Sequence, residues 1–227
     1  MTTADSIKDG SISDKTNKVI ADTFHADTDN INIIKKHTSN RNHKSMSSPP
    51  SSSLVEEIRH SNFHDHNMLI YPDLPTYRKI YSESAKQALD NNETVLLITT
   101  YDSFDRIEDS MMQVGICVNS ETKEGNLIIL DAVKAYQIDT YGAVKFVTTL
   151  VEQTERDAKA GVFALTEMGS FFIAERIEKL LEYEASLQKK LDIRLRATCT
   201  YHKCDFETLS REQQEKILTA HSRVLPQ

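Results

Sequence analysis

Hydrophobic and polar positions divide the chain after residue 62 into short apolar runs separated by longer amphipathic stretches. The apolar runs predict β-strands at 68–71, 94–99, 127–130, 162–165 and 193–200, with a short edge strand at 222–225. The stretches between them predict helices at 76–90, 103–113, 141–160, 171–191 and 209–220. Alternating strands and helices favour an α/β fold, with a mostly parallel central sheet flanked by helices on both faces.

Three local patterns refine this prediction. The runs 94–99 and 127–130 are almost continuously apolar, which is typical of parallel strands covered on both faces. The run 193–200 alternates apolar and polar residues, which indicates a strand near the sheet edge with one solvated face. Ser210 and Gln213 have the spacing of a capping box, so a final helix begins there.

The first 62 residues have a different composition. They contain one aromatic residue, Phe24, and a Ser/Pro-rich stretch at 47–53. Such a segment buries too little apolar surface to offset the loss of conformational entropy on folding. We therefore predict a disordered polar tail at 1–62 and one folded domain at 63–227.

Charge and composition exclude several classes of function. The net charge of −7 arises entirely after residue 60, because the first 60 residues carry equal numbers of acidic and basic side chains. An acidic domain repels nucleic acid and anionic membranes, so neither is expected as a partner. No apolar run is long enough to span a bilayer, and no secretory leader is expected. Three cysteines are too few for a disulfide framework and indicate a reducing cytoplasm.

Candidate ligand-binding residues follow the predicted strands. In open α/β sheets, ligands bind beyond the carboxyl ends of the strands. The polar residues that should gather at this rim are Tyr71, Tyr101, Asp131, Glu167 and Tyr201. Phenols and carboxylates at one rim suit a small organic ligand, although polar residues at strand ends are also common without function.

Glu184 interrupts the apolar stripe of the predicted helix 171–191. A carboxylate on a buried stripe must find hydrogen-bond donors or take up a proton. One interpretation is structural, with Arg196 or a backbone amide as its partner. The other is an acid that binds a proton or a ligand.

Catalytic, nucleotide and metal sites are weakly supported. The turn after the first strand, Tyr71-Pro72-Asp73, lacks the glycines of a phosphate-binding loop, and no nucleophile elbow occurs. Asp131 alone is a weak sign of a magnesium-binding aspartate. Cys199, His202, Cys204 and His221 were weighed as zinc ligands, but their spacing is atypical. We therefore expect no enzymatic activity, no metal and no cofactor.

Several short segments together resemble a known family. They are 66–71, 92–98, 125–129, 166–168, 181–187, 199–201 and His221. In order and spacing they resemble the MEDS domain, the sensory domain of methanogen and methylotroph signalling proteins typified by the dichloromethane-responsive regulator DcmR. The resemblance implies an archaeal or bacterial protein with a RecA/KaiC-like core that has lost its nucleotide loop and senses hydrocarbon derivatives. The residues that match family-typical positions are His66, Tyr71, Glu167, Glu184, Cys199, Tyr201 and His221.

Two positions depart from the family pattern. An acidic residue usually follows the Cys-x-Tyr motif directly, whereas His202 stands there in this chain. The glycine and arginine that often precede the Glu-Met turn are replaced by 164–166, Ala-Leu-Thr. Both departures leave the identity of the ligand open.

The leading hypothesis is a cytoplasmic, non-enzymatic sensor. It would bind a small, fairly apolar molecule at the carboxyl rim of the sheet and relay the signal to a protein partner. One alternative is a RecA-like interaction module that forms homo-oligomers without a ligand. The other is a degenerate nucleotide-dependent ATPase that uses Asp131 and Glu167.

Overall fold

The central element of the protein is a six-stranded sheet in which every strand pairing is parallel. A computed structural model describes residues 51–137, 140–187 and 191–225. The strands are β1 (His66–Tyr71), β2 (Thr94–Thr99), β3 (Leu127–Asp131), β4 (Val162–Glu167), β5 (Leu195–His202) and β6 (Arg223–Val224). They lie in the order β3-β2-β4-β5-β1-β6, which confirms the predicted α/β class.

Helices connect the strands and cover the sheet. They are α1 (Ser51–Arg59), α2 (Leu74–Asp90), α3 (Phe104–Gln113), α4 (Val118–Glu124), α5 (Ala132–Gln137), α6 (Thr140–Arg156), α7 (Gly169–Ile173), α8 (Ile177–Ser186), α9 (Lys203–Phe206) and α10 (Arg211–Ala220). The single helix predicted at 171–191 is wrong, because the chain breaks between α7 and α8, where Glu175 has a positive φ of 54°. The capping box of Ser210 and Gln213 is confirmed at the start of α10.

The two faces of the sheet carry separate cores. On one face, Met68, Leu96 and Cys199 pack with residues of α6, α8 and α10, including Leu180 and Ile217. On the other face, the alternate strand residues pack with α1, α2 and α3, and the buried side chains there include Leu69, Tyr77, Ile80, Leu97 and Phe163. Because successive residues of a strand point to opposite faces, each strand contributes to both cores.

The prediction that 193–200 is a strand near the sheet edge with one partly solvated face is wrong. β5 lies between β4 and β1, and its polar side chains are buried. Arg196 donates to Glu93 Oε2 at 2.7 Å, and Thr200 Oγ1 donates to Tyr77 at 3.0 Å. One buried face of β5 therefore carries polar side chains that pair with polar groups outside the strand. In the sequence pattern, such a face looks the same as a solvated face.

The folded region begins before residue 63. Helix α1 lies within the stretch assigned to the polar tail, and its Leu54, Val55 and Ile58 are buried. The carbonyl of Ile58 accepts a hydrogen bond from Arg196 of β5. Three apolar residues on one helical face are sufficient for this docking, although the surrounding composition is polar. The remainder of the predicted tail, 1–50, lies outside the described residues.

None of the helices that the structure describes combines the length and apolar character needed to cross a membrane.

Candidate functional site

The candidate site residues form two buried clusters on opposite faces of the sheet. The rim cluster consists of Tyr71, Thr99, Thr100, Tyr101 and Glu167. The face cluster consists of His66, Glu184, Cys199, Tyr201 and His221. The two clusters contain eight of the nine predicted ligand-binding residues.

Glu167 is the centre of the rim cluster, and donors surround its carboxylate. Tyr71 donates its hydroxyl to Oε1. Oε2 accepts from the Thr99 hydroxyl at 3.2 Å, from the Thr100 amide, and from the Tyr101 amide at 3.2 Å. Burial raises the pKa of Glu167, and the hydrogen bonds from Tyr71 and the two amides oppose that rise. Every oxygen of this carboxylate therefore has a donor.

Strand register explains how the face cluster begins. His66 pairs with Ala197 and Met68 pairs with Cys199 across β1 and β5. His66 and Cys199 therefore lie on the same sheet face, two positions apart on adjacent strands. Their Nε2 and Sγ atoms are 3.3 Å apart. Thr166 of β4 donates its hydroxyl to the same sulfur at 3.6 Å.

Two helices bring the remaining groups onto these strands. Glu184 lies near the end of α8, and His221 caps the carboxyl end of α10. Glu184 Oε2 is 3.3 Å from His221 Nε2 and 3.9 Å from His66 Nε2. Tyr201 donates its hydroxyl to Glu184 Oε1, which orients the other oxygen toward the imidazoles. Each of four side chains offers one atom that could bind a metal, and these atoms lie within 4.8 Å of one another. The four residues are His66, Glu184, Cys199 and His221.

The contact between Glu184 and His221 is favourable only with a proton or a cation between the two groups. His221 Nδ1 is 2.8 Å from the carbonyl oxygen of Ile217, which can only accept, so Nδ1 carries the hydrogen. In the neutral ring Nε2 is then a lone pair that faces a carboxylate oxygen. Among the described residues, neither Glu184 Oε2 nor His221 Nε2 has a hydrogen-bond partner. Two buried acceptors at 3.3 Å are unfavourable unless something positive or a shared proton lies between them.

Burial shifts the pKa values of Glu184, His221 and Cys199 toward their neutral forms. It raises the pKa of Glu184 to about 7, although the hydrogen bond from Tyr201 opposes the rise. It lowers the pKa of His221 to about 4 and raises the pKa of the Cys199 thiol well above its ordinary value. The fold therefore brings ionisable groups together in a place that disfavours their charged forms unless a counterion is present.

A cleft of about 260 Å³ between α8 and α10 reaches the face cluster. Its lining residues are Leu181, Glu184, Ala185, Lys216, Ile217, Thr219 and Ala220. The walls are mostly apolar, and Glu184 is the one lining residue that also belongs to the face cluster. Glu184 is therefore the residue that links this cleft to the face cluster.

The predicted single site at the carboxyl rim does not match this arrangement. Tyr71, Tyr101 and Glu167 do meet at the rim, but His66 begins β1 and Cys199 lies within β5, so their cluster is on the sheet face. Asp131 pairs with Thr99 of the rim cluster across β2 and β3, but its side chain is used elsewhere, since its Oδ1 accepts from the Lys134 amide at 3.0 Å.

Two further expectations about side-chain partners are corrected. Arg196 is not the partner of Glu184, since it points to the opposite face and pairs with Glu93. His202 and Cys204 lie outside the face cluster, where His202 Nδ1 accepts from the Cys204 amide at 3.2 Å and Cys204 is exposed. Of the zinc ligands considered from the sequence, only Cys199 and His221 meet.

The sequence reasoning did not assign Thr99 or Thr166 to a site, although both support the clusters. Thr99 and Thr100 follow the β2 apolar run and bind Glu167, and Thr166 precedes it on β4 and contacts Cys199. Their position in the sequence could have indicated this role, since each lies at a strand end beside a predicted site residue. The cleft residues of α10 carried no such signal, because nothing local indicates that α10 packs against α8.

Comparison with known families covers both clusters. Residues 65–222 match the family model of MEDS, described as the MEthanogen/methylotroph, DcmR Sensory domain. The matched range contains every residue of the rim and face clusters. No curated protein matches the chain.

Proposed function

Because the chain belongs to the MEDS family of sensory domains, we propose that it senses a small, fairly apolar molecule without catalysing a reaction. The observation that carries this proposal is the cleft between α8 and α10, whose lining includes Glu184 of the face cluster. The proposed site differs from the rim favoured by the sequence, because the rim carboxylate already has donors on both oxygens.

The size and lining of the cleft define the ligand class. Its volume of about 260 Å³ is below that of pockets for drug-sized molecules, which begin at about 300 Å³. Leu181, Ala185, Ile217 and Ala220 supply apolar surface, and Glu184, Lys216 and Thr219 are the polar residues of the lining. Hydrocarbon derivatives with a few heavy atoms and one polar group or halogen fit this description.

The helices that line the cleft also provide a route for the signal. Glu184 is on α8 and His221 ends α10, and their side chains face each other above the sheet. A ligand that prefers one separation of the two helices shifts the population toward that arrangement. The outer surface of α8 and α10 is then the surface whose shape a signalling partner would detect.

The nucleotide-dependent alternative has less support. Its two candidate carboxylates, Asp131 and Glu167, end strands that are separated by β2, and Glu167 is occupied by four donors. The turn into α2 contains no glycine, and its Asp73 side chain accepts from the Thr76 amide at 2.8 Å. The oligomerising interaction module remains the competing proposal, and it requires no ligand in the cleft.

Methyl NMR of the full chain tests the cleft as a ligand site. Dichloromethane, chloroethane, ethanol and ethanethiol are titrated separately while the Leu181 and Ile217 methyl signals are followed. We expect saturable shifts with at least one probe. Ala220→Phe should fill the cleft and abolish them, whereas Ala174→Phe, at an exposed position after α7, should leave them unchanged.

Two results would contradict the proposal. One is the absence of any saturable shift with all four probes. The other is an equal response in the Ala220→Phe protein, which would place binding elsewhere. Native mass spectrometry of the same samples distinguishes the interaction module, which predicts a concentration-dependent oligomer whose formation is indifferent to every probe.

A further inference from the structure

The face cluster has the composition of a transition-metal site. Two imidazoles, a thiol and a carboxylate come from four separate elements and point toward one another. Thiolate and imidazole together suit zinc and other borderline-soft cations, while magnesium and calcium prefer oxygen alone. All four side chains are buried.

We propose that His66, Glu184, Cys199 and His221 form a tetrahedral zinc site at the floor of the cleft. The proposal deepens the proposed function, and it rests on that function only for the sensory role of the site. It needs no organic ligand to be correct.

The distances fit a tetrahedral ion with little movement. Zinc bonds of about 2.0–2.3 Å at tetrahedral angles place neighbouring ligand atoms about 3.4 Å apart. The pairs His66 Nε2–Cys199 Sγ and His221 Nε2–Glu184 Oε2 are each separated by 3.3 Å. The pair His66 Nε2–Glu184 Oε2 is separated by 3.9 Å, and the longest separation in the set is within 4.8 Å.

Hydrogen bonds already orient three of the four side chains toward a common point. The Ile217 carbonyl holds the hydrogen of His221 on Nδ1 and leaves the Nε2 lone pair directed inward. Tyr201 occupies Glu184 Oε1 and leaves Oε2 directed inward. Thr166 donates to the sulfur of Cys199. Partners of this kind fix the tautomer and orientation of metal ligands.

A cation also resolves the one unfavourable contact of the cluster. Glu184 Oε2 and His221 Nε2 are buried, lack hydrogen-bond partners among the described residues, and face each other as acceptors. A dication bound to both atoms would satisfy both. Together with one thiolate and one carboxylate it gives a site with no net charge, which suits a buried position.

A bound zinc ion would connect the sheet to the cleft. Two of its ligands are on β1 and β5, and the other two are on the helices that line the cleft. Of the four ligands, Glu184 also lines the cleft. The metal would therefore hold α8 and α10 in one position on the sheet until a ligand disturbs Glu184.

Metal titration of the full chain tests the proposal without any organic ligand. The background is the double variant Cys117→Ser/Cys204→Ser, which removes the two exposed thiols and leaves Cys199 as the one cysteine. After treatment with EDTA and dialysis, the protein is titrated with Co²⁺ and, in competition with a chromophoric chelator, with Zn²⁺. We expect one metal ion per chain and a charge-transfer band from a cobalt–thiolate bond.

Single changes in this background identify the ligands. Cys199→Ser should remove the charge-transfer band, and Glu184→Gln should weaken zinc binding by roughly 100-fold. The Glu184→Gln protein should stay folded, because its amide can still accept from Tyr201 and donate to His221. Weaker zinc binding in this variant would therefore reflect the lost ligand and not unfolding. The matched control is His202→Ala, a histidine outside the cluster, which should leave affinity and band unchanged.

Three outcomes would overturn the zinc site. They are a background protein that binds no metal, a cobalt complex without the thiolate band, and zinc affinity that survives both Cys199→Ser and Glu184→Gln. Saturable methyl shifts with an organic probe in a metal-free protein would leave the proposed function intact while the zinc site fails. One zinc ion per chain, with no methyl shift for any organic probe, would support the zinc site and contradict the proposed ligand site.

Discussion

Glu167 and Glu184 are two buried carboxylates that lie on opposite faces of the same parallel sheet. Their exposed fractions are 0% and 1%, and burial raises the pKa of both. They differ in their surroundings. Glu167 accepts from Tyr71, from one threonine hydroxyl and from two backbone amides, whereas Glu184 has one donor, Tyr201, and its second oxygen faces a histidine lone pair.

The difference shows that burial and a raised pKa do not by themselves identify a functional acid. Glu167 ties the ends of three strands together, and each of its hydrogen bonds contributes to the stability of the fold. Glu184 has a place left for a proton, a cation or a ligand. An unfilled hydrogen-bonding capacity beside a cleft is therefore the more informative signal in this protein.

Replacing each glutamate with alanine should give the largest difference in the free energy of unfolding between the two positions. Glu167→Ala leaves the Tyr71 hydroxyl and the amides of Thr100 and Tyr101 without an acceptor. At about 1–3 kcal/mol for each buried group, the free energy of unfolding should fall by about 4 kcal/mol or more. Glu184→Ala leaves one such donor, Tyr201, and removes the contact between acceptors, so we expect a loss of about 2 kcal/mol.

Urea unfolding in the presence of EDTA measures both variants with no metal contribution. Ser120→Ala on the exposed side of α4 is a control that removes a hydroxyl without touching either cluster. Equal losses for the two alanine variants would refute the distinction between a structural and an unfilled carboxylate.

Glutamine at the same two positions should give a smaller difference in the free energy of unfolding. At Glu184 the amide supplies the donor that His221 Nε2 lacks and still accepts from Tyr201, so metal-free stability should stay within about 1 kcal/mol of wild type. At Glu167 the amide adds donors where the protein already supplies them, and the Tyr71 hydroxyl loses its acceptor. We expect Glu167→Gln to cost about 2 kcal/mol more than Glu184→Gln.

Chemical unfolding of both glutamine variants at one pH, with EDTA, provides the measurement. A Glu184→Gln protein that is as unstable as Glu167→Gln would mean that Glu184 forms essential hydrogen bonds in the metal-free state. The proposed role of its free oxygen would then be untenable.

The smallest expected effect is a pH dependence that belongs to Glu167. Its pKa in the folded protein is raised above the ordinary value of 4.5, and the tyrosines that face it, Tyr71, Tyr77 and Tyr101, have raised pKa values and stay neutral. A raised folded pKa means that stability from this group is fully present below pH 4.5 and is lost as the pH rises through the folded value.

The Glu184→Gln background isolates this dependence, because Glu184 no longer titrates. Unfolding free energies of this protein and of Glu167→Gln/Glu184→Gln are compared from pH 4 to pH 8. The advantage of the protein that retains Glu167 should decrease as the pH rises. An advantage that grows with pH would show that hydrogen bonds, and not burial, dominate the pKa of Glu167.

Local sequence patterns predicted most of the secondary structure. Six strands and four helices occur where apolar periodicity indicated, since each strand or helix buries residues at its own regular spacing. The failures have local causes. Helix α1 was missed inside a polar composition, and the helix at 171–191 was joined across the break at Glu175.

The sequence by itself determined the elements, the family resemblance and the anomaly of Glu184, because each depends on residues that are close in the chain. The tertiary structure alone decided that Glu184 meets His66, Cys199 and His221 while Arg196 pairs on the other face. These meetings depend on the strand order and on the packing of α8 beside α10. Neither property is encoded in the spacing of residues along one element, since both result from the burial of all the elements together.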